Sequence, residues 1–384
     1  MRLYGPEFFA DPHRTYRQAH HDERLVVPVE MRPGVQATAV IGFEHAREIL
    51  DDPVHYPTDL SAGQAHPRVE FQDRPDLSQA TGADHTRLRR AVRECLEKID
   101  QHAIRTTTRR VTAELIAAFC REGSADLVGD FAIPLVVHIF SRMLGLAPEA
   151  WAEADSAVRT LRATADARAL HEVAWAAVEA ARTTPGPDVT SWLCGHPEGL
   201  DDHEVVQQLM LLHTTGCLPT VDLIANTLLR VMTDKQFREA VMFAALTYRD
   251  ALEHVLALDP PRPVLRPRWP PSLQIRDGVH MHPHQPVLIS LAGCAADPIM
   301  GADRTENYGS RSHLAWGGGP HKCPATAAAT AMLLGEEALG LLFESLPDMN
   351  LAPGERIEFL PSLYHRALVA LPVVFDPSSP LPLS

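Results

Sequence analysis

The chain has 384 residues, of which 45% are hydrophobic, and this is enough for a large core in one or two domains. A formal net charge of −14 and the lack of a long basic run exclude nucleic acid as a natural partner. No apolar run reaches the roughly 18–20 residues that cross a membrane, and the first residues lack a signal peptide's apolar core. The six cysteines are scattered without a disulfide-like pattern, so we expect a cytoplasmic protein with no membrane partner.

The N-terminal part of the chain alternates helical and extended patterns. Residues 11–22 predict a capped helix, and the apolar stretches 26–29 and 37–41 predict a small β-sheet. A short helix is predicted over 44–50. The Pro-, Gly- and Asp-rich residues 53–82 predict a long loop.

The next helix carries two cationic or donor side chains on one face. His85 and Arg89 are four residues apart, and Leu88 and Val92 form the neighbouring apolar stripe. Such a face suits a pair of carboxylates, although a solvated basic face is the more common meaning of this spacing. The same helix carries Arg87, Arg90 and Arg93, which predict either a basic patch or ordinary surface charge.

Helices are also predicted through the middle of the chain, over 104–121, 125–145, 147–184 and 205–232. Prolines cluster in 259–286 and predict irregular chain with short strands, at 264–266 and 279–282. A strand and a helix follow over 286–292, and the tail predicts a closing β-hairpin. His280, His282 and His284 alternate as in a strand, and we interpret them as solvated strand residues rather than metal ligands.

One cysteine lies in a glycine-rich loop, Trp-Gly-Gly-Gly-Pro-His-Lys-Cys-Pro-Ala, over residues 316–325. The Ala-, Leu- and Met-rich run 325–342 predicts a helix directly after it, so Cys323 lies at a helix N-terminus. Unpaired N–H groups and the helix dipole favour a thiolate there, and a thiolate in such a loop suits a haem iron. The alternatives are a buried cysteine in a surface turn, and a zinc site that would lack a second Cys or His at finger-like spacing.

This loop resembles the haem-thiolate signature of the cytochromes P450, Phe-Gly-x-Gly-x-His/Arg-x-Cys-x-Gly. The matching positions are Gly317, Gly319, His321 and Cys323. Trp316 stands in place of the usual Phe and Ala325 in place of the usual Gly, and both keep the character of the residue. Other landmarks follow the family's order along nearly the whole chain.

The resemblance implies the mostly helical P450 fold with small β-sheets, formed by residues 1–384 as a single domain. It also implies haem b, held non-covalently, with Cys323 as the metal ligand. The residues that it assigns to the cofactor are His85, Arg89, Arg266, Gly317, Gly319, His321 and Cys323. Arg268 competes with Arg266 as the third propionate ligand.

The first departure from the family lies in the long helix over 205–232. Its counterpart usually reads Ala-Gly-x-Asp/Glu-Thr-Thr and handles oxygen. With Gly216 as the anchor, Leu218 takes the acidic position and Pro219 that of the threonine, while Thr220 comes one place later. We therefore take Gly216 and Thr220 as the catalytic candidates. Proton delivery needs a hydroxyl or carboxyl in reach, and Thr215, Thr220 and water remain open as its source.

The second departure is the absence of the family's Glu-x-x-Arg pair before Asp259. Counting back from Asp259, His254 takes the Glu position and Ala257 the Arg position. Arg304 resembles the usual partner of that pair, and we expect it to turn to solvent or to find Glu253 or Glu306. The absence, with Leu3-Tyr-Gly-Pro-Glu-Phe and Leu314-Ala-Trp-Gly, is similar to actinobacterial P450s of the conserved gene clusters called conservons.

The resemblance implies an oxidoreductase of monooxygenase type that acts on a small organic substrate. Peroxide use and radical coupling are variants, because the usual acid–alcohol pair is missing. Its electron donor would be a ferredoxin. The alternatives are an inactive haem-binding partner or sensor of a signalling-cluster protein, and a non-oxidative haem enzyme such as a dehydratase. The stretch 146–216 is shorter than in the family and implies a reduced roof over the substrate pocket.

Overall fold

The computed structural model describes residues 1–58, 76–300 and 311–380, and helices dominate these ranges. The α-helices are Pro6–Ala10 (α1), Pro12–His21 (α2), Phe43–Leu50 (α3), Gly82–Glu97 (α4), Gln101–Phe119 (α5), Ile133–Met143 (α6), Trp151–Thr164 (α7), Arg168–Thr183 (α8), Val189–Cys194 (α9), Asp202–Leu212 (α10), Leu218–Thr233 (α11), Lys235–Met242 (α12), Tyr248–Leu258 (α13), Leu291–Ala295 (α14) and Ala325–Ser345 (α15). The strands are Val26–Arg32 (β1), Val35–Val40 (β2), Ser124–Asp126 (β3), Gln274–Arg276 (β4), Val279–Met281 (β5), Val287–Ile289 (β6), Asn350–Leu351 (β7) and Pro372–Val374 (β8).

The described strands form three small sheets. In the first, β1 pairs antiparallel with β2, and β2 pairs in parallel with β6 through Thr38 opposite Val287. In the second, β8 lies between β3 and β7 and runs antiparallel to both. The third is the β4–β5 hairpin. The chain thus has the predicted class, mostly α with small β-sheets.

The largest apolar core lies among the helices. It joins buried side chains of α4 to α11 with those of α13 and α15. Helix α15 packs against α5, α13 and α11, so the segment that follows the cysteine loop is fixed on several sides. Two smaller clusters cover the faces of the first sheet.

Helix α15 is long and apolar enough to cross a membrane by length and composition, and no other helix of the described residues is. The sequence expectation that no run is long enough is therefore wrong by length and composition. Half of the apolar window is buried inside the protein.

Most predicted elements are confirmed within a few residues. Helix α2 begins after Asp11, whose carboxylate accepts a hydrogen bond from the Arg14 N–H at 3.0 Å. The helix predicted over 125–145 is wrong at its start. Strand β3 and a π-helical turn, Leu127–Ala132, precede α6 there, because Ser124–Asp126 pairs with the distant β8.

Residues 264–266 do not form the predicted strand among the described residues. Val264 makes only an isolated bridge to Ser290. Strand β5 was predicted, and it pairs with β4, which was not. His280, His282 and His284 are all exposed on and after β5.

The long helix predicted over 205–232 is interrupted by a π-helical segment. Helix α10 ends at Leu212, the π-helical segment spans His213–Cys217, and α11 follows with Pro219 in its first turn. Proline has no N–H to donate to the preceding turn, so a wider turn before it avoids that missing hydrogen bond. The segment is the part of the helix that borders the candidate site.

Helices α7, α8, α9 and α10 take up most of the stretch 146–216. Helices α7 and α8 are joined by a turn at 165–167 in which Ala165 has a φ of 61°.

Candidate active site

The cysteine loop and the π-helical segment border the same cavity. Cys323 and Trp316 line one side, and Gly216, Pro219 and Thr220 line another. Helices α4, α6, α13 and α15 and the chain over 260–268 supply the rest of the wall. Most of the predicted site residues, from four separate parts of the sequence, therefore meet here.

The loop before Cys323 is held by backbone hydrogen bonds and by glycine. The Cys323 N–H donates to the Trp316 carbonyl at 2.8 Å, which closes the loop. Gly317 and Gly319 have φ values of 72° and 60°, a region that strains other residues. A Cβ on Gly319 would lie 2.0 Å from the Leu50 carbonyl oxygen. Gly319 is thus needed to seat the loop on α3, whereas Gly317 lines the cavity itself.

The thiol of Cys323 faces the cavity just before α15. Burial raises its pKa to about 11, while the charges of Arg89 and Arg262 and the Ala328 N–H act in the opposite direction. The Ala328 N–H at the start of α15 thus favours a thiolate, as the sequence predicts, while burial disfavours it. A metal cation that replaces the proton would supply the missing stabilisation.

Four of the cationic or donor side chains lie together at one edge of the cavity. The rings of His85 and His321 are 4.3 Å apart between centroids. Burial and the charges of Arg268, His85 and Arg89 lower the pKa of His321 to about 3. Burial, Arg89 and Arg268 also lower the pKa of His85. At neutral pH the two arginines are charged and the two histidines neutral.

Several nitrogen atoms of this edge are buried without a hydrogen-bond partner among the described residues. They are His85 Nε2, His321 Nδ1, Arg268 Nε and Arg268 Nη1. No ion pair joins Arg89 or Arg268 to a carboxylate within the described ranges. Burial lowers the pKa of Arg268 to about 10. Orphaned donors and uncompensated cations fit a ligand that brings two carboxylates, as the propionates of haem would.

Arg266 has a different environment from Arg268. Its Nη2 lies 3.2 Å from Oδ2 of Asp76, and Asp76 is almost fully buried. Arg266 still lines the cavity, but a carboxylate of the chain already compensates its charge. Of the two competing arginines, Arg268 is the one with unsatisfied nitrogens. A neighbour that the sequence analysis missed, Arg262, also lines the cavity.

The opposite wall holds the two predicted catalytic positions. A Cβ on Gly216 would lie 3.2 Å from the Phe140 ring, so a larger residue would press on that ring. The Thr220 hydroxyl donates to the Gly216 carbonyl at 2.7 Å, and that of Thr215 donates to the Leu211 carbonyl at 2.7 Å. Both hydroxyl groups border the cavity, but both protons are held by the backbone. Leu218 is buried in the core and does not line the cavity.

Glu253 is bound by a histidine of the chain before the cysteine loop. His313 Nε2 lies 2.8 Å from Glu253 Oε2, and both side chains are buried. His313 Nδ1 accepts the Ala315 N–H at 3.2 Å, so Nε2 carries the proton and donates to Glu253. Glu253 therefore has a partner other than the expected Arg304. Arg304 and Glu306 lie outside the described residues.

The arginines on the outer face of α4 are matched by acidic residues. Arg87 pairs with Glu204 and Arg90 with Glu198. Arg93 lies 3.6 Å from Glu97. These pairs favour ordinary surface charge over a free basic patch for this face.

The remaining wall of the cavity is largely apolar. Phe140, Met143, Leu211, Leu223 and Leu265 contribute to it. Within the described residues, Asp and Glu side chains are absent from its lining, and the charged residues are the arginines already described.

No family model matches the chain. It is 26% identical over 357 residues to "2-hydroxy-5-methyl-1-naphthoate 7-hydroxylase" of Streptomyces carzinostaticus, a match that covers 85% of this chain and 86% of that protein. It is 27% identical to "Cytochrome P450 monooxygenase PikC" of Streptomyces venezuelae, over 96% of this chain and 92% of that one. The fold is similar to that of the solved structure "Testerone bound CYP154C4 from Streptomyces sp. ATCC 11861", with a TM-score of 0.87, 21% identity and coverage of 98% of both chains.

Proposed function

We propose that the chain, which is similar in sequence and fold to cytochromes P450, is a haem-thiolate monooxygenase that hydroxylates a small, largely apolar organic substrate, with Cys323 as the iron ligand. The observation that carries the proposal is the position of Cys323, in a glycine-rich loop that opens on a cavity with unsatisfied cations at its edge. The relatives in the family are hydroxylases and monooxygenases of organic molecules.

The cofactor that fits this cavity is haem b. His85, Arg89, Arg268 and His321 would hold its propionates, because nitrogen atoms of His85, Arg268 and His321 lack partners and no ion pair within the described residues compensates the charges of the two arginines. When bound, the haem supplies oxygen activation, which the electron-rich sulfur ligand promotes. The role of Cys323 is to bind iron as a thiolate. The role of Gly317 and Gly319 is to let the loop reach that position.

The other residues of the cavity orient the substrate and exclude water. The apolar side chains of α6, α10 and α11 would hold a hydrocarbon body. Thr215 and Thr220 are the residues of the oxygen-handling helix whose hydroxyl groups border the cavity, and Gly216 lies between them in the sequence. To deliver a proton, either hydroxyl must release its backbone carbonyl or pass the proton through water.

That constraint favours a second candidate route, in which hydrogen peroxide replaces dioxygen and reductant. Peroxide brings its own protons, so the backbone-held hydroxyls would matter less. Radical coupling would use the same site. The remaining assignments that we propose are a single domain over 1–384, a cytoplasmic location and a ferredoxin or signalling-cluster protein as partner.

The test is the spectrum of the reduced, carbon monoxide-bound protein. We expect a strongly red-shifted Soret band, which a thiolate ligand produces, and its loss in Cys323→Ala. Wild-type protein that binds haem without this band would contradict the ligand assignment. Product formation with a ferredoxin system or with peroxide then separates the two routes, and haem binding without any product would favour a sensor.

A further inference from the structure

Arg262 is a cation of the cavity for which the cofactor has no obvious use. It follows Pro260 and Pro261 directly after α13 and lines the cavity. Its Nε atom is buried and has no hydrogen-bond partner, and no ion pair links it to a carboxylate anywhere in the described ranges. Burial and the charge of Arg266 lower the pKa of Arg262 to about 10, against the charges of Asp76 and Cys323, and this leaves it charged at neutral pH.

Arg262 belongs to a different group of side chains from the predicted propionate ligands. The charges that act on His85 and His321 are those of Arg89 and Arg268, and Arg262 is not among them. Arg262 instead lies near Arg266 and the Tyr364 phenol. The Tyr364 hydroxyl is also buried without a hydrogen-bond partner. Burial raises the pKa of Tyr364 to about 12, against the charges of Arg266 and Arg262. The phenol therefore stays neutral and can donate a hydrogen bond.

A count of charges leaves Arg262 uncompensated even in the haem-bound protein. A ferric ion, the porphyrin dianion and one thiolate sum to zero. The two propionates balance Arg89 and Arg268, and Asp76 balances Arg266. A charged guanidinium in a largely apolar cavity is costly unless an anion joins it.

We propose that Arg262 binds the carboxylate of the substrate. This inference rests on the proposed function and narrows its substrate class to organic acids with a large apolar body. Leu256 and Leu265 lie on either side of Arg262 in the sequence and also line the cavity. A carboxylate at Arg262 would thus be continuous with an apolar surface for the rest of the molecule.

The experiment compares an acid with its uncharged ester on the haem-loaded protein. The probes are dodecanoic acid and diphenylacetic acid, each against its methyl ester, and binding is followed by the change of the Soret band. A charge-assisted hydrogen bond predicts that at least one acid binds about 10- to 100-fold more tightly than its ester. The proposal is overturned if neither acid binds, or if both esters bind as tightly as the acids.

Variants assign the preference to Arg262. Arg262→Gln should remove the difference between acid and ester while leaving the affinity for the ester unchanged, and Arg262→Lys should keep part of it. Arg268→Gln is the matched control, because it removes a cavity arginine from the other group. It should speed the transfer of haem to apomyoglobin and leave the acid-to-ester ratio as in the wild type.

Two other results would overturn the inference. One is an acid preference that persists in Arg262→Gln. The other is an Arg262→Gln protein that loses haem as fast as Arg268→Gln, since the carboxylate at Arg262 would then be a propionate of the cofactor. Failure of the proposed function is seen separately, because it removes the red-shifted carbon monoxide band, and equilibrium dialysis still measures the acid-to-ester ratio in that case.

Discussion

The buried contact between Glu253 and His313 connects α13 to the chain that leads into the cysteine loop. His313 donates to Glu253 at 2.8 Å and accepts the N–H of Ala315, next to Trp316. The family resemblance implies a Glu-x-x-Arg pair in this region, and the sequence has His254 and Ala257 at the two positions. We therefore expect the Glu253–His313 pair to position the loop that carries Cys323.

The prediction for this pair is that His313→Leu weakens both stability and iron ligation. Without the imidazole, a buried carboxylate loses its donor, which costs about 1–3 kcal/mol of the free energy of unfolding. A loosened loop should also reduce the fraction of reduced protein whose carbon monoxide band lies at the thiolate position. Urea unfolding and the spectrum of the same preparation measure the two effects.

Glu253→Gln is the matched control, because its side-chain carbonyl can still accept from His313. It should retain most of the thiolate band. A His313→Leu protein that loses stability but keeps the full band would show that the pair supports the core and does not position the loop.

At the residue scale, the sequence predicted what is encoded locally. The spacing of His85 and Arg89 places both on one face of α4, and the glycines predict the loop that exposes Cys323. The contact of Glu253 with His313 joins residues 60 positions apart, so no local pattern could reveal it. Arg262 was missed for a similar reason, since only the folded cavity shows that its nitrogen lacks a partner.

At the scale of elements, one buried ion pair joins α7 to α11, the helix that borders the site. Arg162 on α7 pairs with Asp222 on α11, and both side chains are almost fully buried. Arg162 also donates to the Leu368 carbonyl of the C-terminal segment. Burial raises the pKa of Asp222 to about 7, against the charge of Arg162. The Arg162 guanidinium therefore joins α7, α11 and the C-terminal segment.

We predict that Arg162→Leu lowers the free energy of unfolding by roughly 3–5 kcal/mol, because it leaves a buried carboxylate unpaired. Thermal or urea unfolding measures this loss. The double variant Arg162→Leu with Asp222→Leu should recover most of it, since an apolar pair of similar volume has no desolvation cost. As a control, Lys235→Ala removes an exposed pair with Glu239 and should cost less than about 1 kcal/mol. Equal losses in the single and double variants would contradict the argument.

Long apolar elements were easier to predict than their interruptions. The run 205–232 has a clear helical pattern. Pro219 predicts an irregularity in this helix but does not distinguish a kink from a π-helical segment. The π-helical segment His213–Cys217 depends on how α10 and α11 both pack on their neighbours. Likewise, Ser124–Asp126 forms a strand because it pairs with β8, which is distant in the sequence.

At the scale of the whole molecule, three distant parts of the chain meet at Asp259. His13 of α2 lies 2.9 Å from Asp259 Oδ1, and Arg366 Nε lies 3.3 Å from Oδ2. Arg366 also donates to the Phe9 carbonyl at 3.0 Å and stacks over the Phe359 ring. The start of the chain, the end of α13 and the C-terminal segment are thus tied at one carboxylate.

The pH dependence of this junction follows from the direction of one pKa. Burial acts to raise the pKa of Asp259, but His13 and Arg366 together lower it below its ordinary value. An acid whose pKa is lower in the folded state stabilises the fold above the unfolded pKa, about 3.9, and loses that contribution as the pH falls through the folded value.

We predict that Asp259→Asn lowers the free energy of unfolding by about 1–3 kcal/mol near neutral pH. The difference from the wild type should shrink below about pH 4 as the wild-type carboxyl takes up its proton. Urea unfolding at a series of pH values measures it, and Glu114→Gln, which alters an exposed pair on α5, should follow the wild type throughout. A difference that stays constant down to the lowest pH would mean that the side chain acts through its shape and not through its charge.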